Sequence, residues 1–401
     1  MQIALFHNLP SGGAKRAVYE WTRRLSEKHT IDVYTLSSAD HDFCDIRPFV
    51  REHQVFEFNS RHLFDSPFGR LNQFQRWRDL GDLIDLSQQI ASTIDMGGYD
   101  VVFAHTCMYT FIPVFLQYLE TPSVYYLHEP FGRLFYRVIE RPYIQTNKRK
   151  EYLDRFDPLI GLYERRLDAV QHQSVRTTAR MLANSSFTQT RMETAFGIET
   201  PVSSYGVDFD DFSPLNREVH NNHVLSVGEI SPRKGFDFII ESLSYLPSSQ
   251  RPALRLASNR IEPQELDYLH RLAEGLGVQL QVKSNLDVNQ LREEYSEAKF
   301  CVYAPVLEPF GLVPLEAMAC GVPVIGVSEG GVAESIVHER TGLLVERDPE
   351  KFAGAMQHLL SNPDLALEYG RNGREHVLRH WTWDQSTESV ERHLAACAAL
   401  N

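Results

Sequence analysis

Apolar residues recur along the chain in short, nearly unbroken runs. Between them lie stretches whose apolar positions repeat every three or four residues. The first run, residues 2–6, leads into Ser11-Gly12-Gly13 and then into 14–28, where Val18, Trp21 and Leu25 share one face. This pattern predicts a strand, a glycine turn and an amphipathic helix. Thr30–Leu36 follows as a second strand and 82–93 as a helix; 99–105 and 122–129 are further strands, and 180–186 is strand-like. The span 40–78 reads as irregular and aromatic, and 131–180 as one or two long helices rich in Arg and Tyr. Strands that are apolar on both faces and alternate with helices specify a parallel sheet covered on both sides.

The pattern restarts after "YGVDFDDFSPLN" (205–216), a Gly/Asp/Pro-rich connector in which Asp208, Asp210 and Asp211 read as a solvated turn. Strands are expected at 223–229, 253–259, 278–284, 299–305, 321–327 and 341–345. Helices fall between them, starting near Gly235 and Pro314, and the chain ends in helix. The expected fold is α/β: an N-terminal Rossmann-like domain over 1–205, a second over 206–378, and a C-terminal helix over 379–401 that packs back on the first. In open parallel sheets ligands sit beyond the carboxyl ends of the strands. The cleft between two such domains is therefore the expected site.

Composition narrows the choice of partner. The 401 residues are 43% hydrophobic and 23% charged, which suits a globular chain and argues against disorder. A net charge of −13 argues against nucleic acid, whose phosphates want a basic field. Residues 1–200 carry 23 basic and 24 acidic side chains; residues 201–401 carry 17 and 29. Such different electrostatics suit two domains facing different things. Five cysteines without a CxxC pair read as reduced thiols. Neither a leader sequence nor an apolar run long enough to span a membrane is expected.

The most specific stretch is "EPFGLVPLE". It places Glu308 in a loop past a strand, Phe310-Gly311 in a turn, Pro314 at the first position of a helix and Glu316 in its first turn. The amides of Gly311, Leu312 and Val313 would accept a phosphate, and Glu316 could accept hydrogen bonds from ribose hydroxyls. The same residues also suit a helix-dipole carboxylate and a solvated loop. Arg233 and Lys234 follow another strand at a helix start, where cations oppose the dipole and call for an anion. Gly330-Gly331 offers a third anion-ready loop.

Taken in order, these pieces resemble the retaining, nucleotide-sugar-dependent glycosyltransferases of the family-4 type, with GT-B architecture. The acid-x7-acid motif matches Glu308 and Glu316, and the Lys-Gly of the second domain matches Lys234-Gly235. "GVPVI", Gly330-Gly331 and Glu334 follow, with Gly12-Gly13 near the N-terminus and Ser185 and Tyr205–Asp208 before the linker. The resemblance implies a second domain that binds the donor. Glu316 would lie on the ribose and Glu308 beside the transferred sugar, with Lys234 on the diphosphate and the Gly311, Leu312 and Val313 amides nearby. The turn at Phe310 would complete that side. Across the cleft the acceptor domain would bring Gly13 to the phosphates and His128 to the sugar.

Family members usually carry Arg after the strand-end Gly, where this chain has Gly228-Glu229. Arg233 is then the second cation expected, with Arg260 a further candidate. The resemblance implies UDP-glucose as donor, ahead of GDP-mannose and UDP-N-acetylglucosamine, and a saccharide or lipid-linked saccharide as acceptor. No metal or further cofactor is expected, because Lys234, Arg233 and helix amides would carry the leaving-group charge. The competing classes are a nucleotide-sugar epimerase and a catalytically weak nucleotide-sugar-binding homologue.

Residues 131–155 carry 7 basic and 3 acidic side chains with Phe131, Phe135, Tyr136, Tyr143 and Tyr152 interleaved. Arg61, His62, Phe64, Phe68, Arg70, Arg76 and Trp77 would extend the patch, and His105 would line the acceptor side. The patch suits an anionic acceptor or an anionic membrane surface, apart from the donor. A cytoplasmic, peripherally membrane-bound enzyme working beside other biosynthetic glycosyltransferases is the expected setting.

Overall fold

A computed structural model describes residues 1–64, 71–129, 139–144, 157–215 and 222–400. The first half runs β1 (Gln2–Asn8), α1 (Gly13–Leu25), β2 (Thr30–Leu36), β3 (Glu52–Phe56), α2 (Asn72–Met96), β4 (Val101–Cys107), β5 (Ser123–Leu127), α3 (Pro158–Thr177), β6 (Arg180–Ala183) and α4 (Ser186–Phe196). Its six strands pair in parallel in the order β3-β2-β1-β4-β5-β6. The internal strands β4 and β5 are buried along their whole length and are mainly apolar, as a strand covered on both faces requires.

The second half runs β7 (His223–Val227), α5 (Phe236–Ser244), β8 (Ala253–Ser258), α6 (Pro263–Leu276), β9 (Leu280–Ser284), α7 (Val288–Glu297), β10 (Cys301–Tyr303), α8 (Leu312–Ala319), β11 (Val324–Val327), α9 (Val332–Ser335), β12 (Gly342–Val345), α10 (Pro349–Ser361), α11 (Pro363–His380) and α12 (Trp383–Ala398). This sheet is also six-stranded and parallel, in the order β12-β11-β10-β7-β8-β9.

Three elements depart from the expected pattern. Strand β3 lies in the span read as irregular. It is an edge strand, mostly exposed, so its sequence EHQVF carries no buried run. Helix α2 begins at Asn72, ten residues before the expected start. Its first turns expose Phe74 and Trp77 and bury nothing before Leu80. Helix α4 has only Thr188 and Met192 buried and therefore almost no apolar stripe. Capping forms it instead: the Ser185 side chain accepts from Thr188 N at 3.0 Å, and Gly197 ends the helix in the left-handed region.

The two halves share one apolar core. Tyr205, in the connector, packs 4.8 Å from Phe310 of the second half and 5.8 Å from Trp21 of α1, ring centroid to centroid. The chain then returns. Helix α12 lies against α1, β4 and β5, and its Trp383 meets Trp21 edge-on. Ser386 accepts from Trp21 Nε1 at 2.9 Å and donates to Ser204 O at 2.6 Å.

Trp383→Ala should cost about 3–5 kcal/mol, the usual loss for a large buried aromatic. Urea denaturation would read it. A change below about 1 kcal/mol would mean that α12 is not part of the joint.

Candidate functional site

The sequence candidates of the second half gather at the C-terminal ends of its strands. After β7 the chain makes one tight turn, Pro232–Lys234, and Gly235 takes the left-handed conformation before α5. Lys234 Nζ reaches Glu308 Oε2 at 2.9 Å, from the loop after the neighbouring strand β10. Both side chains are half-buried. The anion that Lys234 calls for is therefore already supplied by Glu308, which is no solvated loop carboxylate. Arg233 occupies the same turn and accepts from Val306 N through its carbonyl at 2.8 Å.

Gly330-Gly331 does different work from the anion-binding loop expected. Gly331 N donates to Glu308 O at 2.8 Å. A Cβ on Gly330 would stand 2.3 Å from Glu308 O, and one on Gly331 2.2 Å from Pro309 O. The pair is glycine because the Glu308 loop rests directly on it, and the Gly331 amide is spent on that contact.

Gly311 precedes α8, and no side chain caps that helix end. Pro314 is its third residue rather than its first, and Glu316 its fifth, two residues deeper than expected. Glu316 is 6% exposed. Its Oε2 accepts from Tyr295 OH at 2.8 Å, and its Oε1 from Arg16 Nη1 at 2.7 Å. Arg16 comes from α1 of the other half, so this ion pair spans the cleft. A carboxylate has about four acceptor positions, which leaves room for further donors. Leu312 completes the crossing: a Cβ on Gly13 would lie 3.2 Å from Leu312 Cδ1. Val313 is partly buried in the same core seam. Phe310 is 3% exposed and its ring packs on Tyr205 and Trp381, so its side chain serves the seam between halves.

Beside these residues lies a cavity of about 390 Å³, lined among others by Arg16, Tyr19, Phe212, Val288, Leu312 and Glu316. A second one, about 610 Å³, lies between α1 and α12 and is lined by none of the candidates. Glu334 also spans the halves: its two oxygens accept from Ser186 N and Phe187 N, both at 2.9 Å, at the start of α4. Glu229 pairs with Arg260 at 3.1 Å, so the unexpected carboxylate is neutralised by the cation of the next strand end. Asp208 accepts from the amides of Asp210 and Asp211, the turn expected there.

His128 sits at the end of β5 with both ring nitrogens engaged. Nε2 lies 3.0 Å from His105 Nδ1, and Nδ1 lies 2.6 Å from Tyr205 OH. Burial holds its pKa down at about 3. His105, expected on the acceptor side, is a core residue stacked on Trp21. On β1, the strand beside β4, His7 Nε2 lies 3.2 Å from Nζ of Lys15 in α1, and burial lowers the lysine pKa to about 8.

The described part of the basic aromatic segment does not form a free face. Arg141 and Tyr143 turn toward the second half, where both reach Glu265 of α6. The described part of the patch is thus not set apart from the second half. Arg61 is paired with Asp79 and Asp82, and Trp77 lies under Arg166, 4.5 Å from the ring centroid. Phe68, Arg70, Phe131, Phe135, Tyr136, Arg149, Lys150 and Tyr152 lie outside the described residues. Among the described residues, no helix is long and apolar enough to cross a membrane. Arg16, Tyr295 and Arg141 are the residues the sequence reading missed; the first two bind Glu316 from 300 and 21 positions away.

His7, His105 and His128 are neutral in the fold because burial depresses all three. In the unfolded chain they take up protons below about pH 6.5. Their contribution is therefore whole above that pH and is lost as pH falls toward the folded values, at up to about 1.4 kcal/mol per pH unit for each. The urea midpoint should drop between pH 6.5 and 5, above the range where ordinary carboxylates titrate. A flat profile there would contradict the buried neutral state.

Comparison with known proteins agrees with this geometry. Residues 11–210 match the family described as Glycosyltransferase Family 4, and residues 208–376 match Glycosyl transferases group 1. A D-inositol 3-phosphate glycosyltransferase of Geodermatophilus obscurus is 27% identical over 97% of this chain and 85% of its own length. Other curated relatives match over about half their length. Among solved structures, sucrose-phosphate synthase from Thermosynechococcus elongatus superposes with a TM-score of 0.76 at 21% identity, covering all of both chains. Anabaena Alr3699/HepE, solved with UDP-glucose, gives 0.72 at 17% identity, covering 99% of this chain and all of that one. With two family matches that meet at the connector and two parallel sheets facing one cleft, the chain belongs to the family-4 type glycosyltransferases of GT-B architecture.

Proposed function

We propose that the protein is a retaining glycosyltransferase that moves a hexosyl group from a nucleotide sugar to a hydroxyl of a saccharide or lipid-linked saccharide. The observation that carries this reading is the convergence of Lys234, Glu308, Glu316 and the uncapped start of α8 at one cleft. A nucleoside diphosphate sugar needs each of them. Glu316 accepts the ribose hydroxyls on its remaining acceptor positions, and the helix amides and Lys234 take the diphosphate. Glu308, held by Lys234, faces the sugar.

In the reaction the bond from the anomeric carbon to the diphosphate oxygen breaks. A bond to the acceptor oxygen forms on the same face, and the acceptor proton passes to the departing phosphate. The charge that develops on that phosphate is the term the protein must stabilise, and Lys234, Arg233 and the amides are the groups this reading gives that part. His128 is a poor base: burial holds its pKa down at about 3, and both its nitrogens are engaged. It holds the strand end in place. UDP-glucose is the first donor to test, since the superposable Anabaena protein was solved with it.

Purified protein incubated with UDP-glucose, GDP-mannose or UDP-N-acetylglucosamine should release the nucleoside diphosphate from one of the three, slowly without acceptor. Release from none, together with no binding, would overturn the reading. A sugar inverted at C2 with no transfer would instead mark an epimerase. Glu316→Ala should weaken nucleoside diphosphate binding by roughly 1.5–3 kcal/mol, the worth of hydrogen bonds to a charged group. Lys234→Ala should lower kcat far more than it shifts the melting temperature. The reverse pattern would make Lys234 a structural partner of Glu308 only.

A further inference from the structure

Residues 139–144 belong to the first half by position but end in the second. Arg141 has a side chain only 4% exposed. Its Nε and Nη2 meet the two oxygens of Glu265 at 2.9 and 3.0 Å, a bidentate pair, and the Glu265 side chain is fully buried. Nη1 reaches Asp237 Oδ2 at 2.9 Å, and Nη2 also donates to Pro232 O at 3.2 Å. The guanidinium lies 5.2 Å from the Tyr268 ring centroid, and Tyr143 OH donates to Glu265.

A buried ion pair of this kind is a poor source of stability, because desolvating both charges offsets their attraction. Its value is geometric, since only a planar fork reaches three acceptors in fixed directions. Those acceptors are the first turn of α5, the first turn of α6 and the carbonyl that opens the turn carrying Arg233 and Lys234. Gly235 provides no side-chain cap for α5, so that turn depends on outside contacts for its position.

We infer that Arg141 is a positioning residue for the donor diphosphate: reaching over from the first half, it clamps the Pro232–Lys234 turn and so sets where the Lys234 ammonium stands. This rests on the proposed role of Lys234 at the diphosphate. It also gives the first half a mechanical hold on the donor site, independent of the Arg16–Glu316 pair on the ribose side.

The test separates the phosphate from the nucleoside. Arg141→Ala alone would strand the Glu265 charge and risks unfolding the protein, so the principal variant is Arg141→Met with Glu265→Leu, which removes both charges at similar volume. Affinities for UDP and uridine, and for GDP and guanosine in parallel, are measured by calorimetry, with kcat and KM for diphosphate release. Diphosphate affinity should fall on the order of tenfold with nucleoside affinity held within about twofold. Displacing a positioned group should lower kcat by roughly ten- to a hundredfold. Arg141→Lys keeps the charge but not the fork and should recover only part of the loss. Unchanged diphosphate affinity and kcat with a lowered melting temperature would reduce Arg141 to interdomain glue and overturn the inference. Equal losses for UDP and uridine would also overturn it. A wild-type chain that binds neither diphosphate would remove the donor reading itself, a failure seen before any variant is made.

Discussion

The aromatic joint around Tyr205 is the constraint on which the cleft depends. Tyr205 leaves the first sheet and lies against Phe310 on one side and Trp21 on the other, while Trp383 closes the group from the returning helix α12. Burying four large rings in one cluster makes the connector part of a continuous core rather than a free hinge. The spacing between the two strand-end edges follows from it. Because Phe310 is anchored there, the loop that begins at Glu308 and the helix that begins at Leu312 emerge from a fixed point. Gly330-Gly331 supports that loop from below with no side chain between.

Charged groups then divide the cleft. Arg16 crosses it to Glu316, Glu334 crosses it to the start of α4, and Arg141 crosses it to Glu265. Each joins a residue of one half to a residue of the other, and each is at least partly buried. Such pairs add little net stability but penalise any arrangement that leaves one member unpaired. Together they select one relative setting of the two sheets. Three of the groups they hold, Glu316, the Lys234 turn and the α4 start, border the site. The candidate site and the domain setting are therefore tied together through the same side chains.

The histidines at the first sheet's strand ends belong to this setting too. His105, His128 and Tyr205 form a hydrogen-bonded row leading from β4 to the connector. The row is fully buried, and burial keeps its imidazoles neutral. It links the strand end facing the proposed sugar site to the joint itself, which gives His128 a part in shape rather than in proton transfer.

The sequence by itself determined the two parallel sheets, the connector and the acid-x7-acid stretch, because each is written in neighbouring residues. A strand buried on both faces is mainly apolar, as residues 101–104 are, and Pro314 with Gly311 marks a helix start within a few positions. Where local pattern is weak, the reading failed. Edge strand β3 is too exposed to look like a strand, and α4 is held by its caps more than by an apolar stripe. Tertiary structure alone decided the pairings. Nothing local says that Arg16 answers Glu316 across 300 residues, that Arg260 neutralises Glu229, or that Arg141 leaves its own half for Glu265. Charge pairing depends on distance in space, and along this chain the partners meet only once both sheets have formed and the aromatic joint has set them face to face.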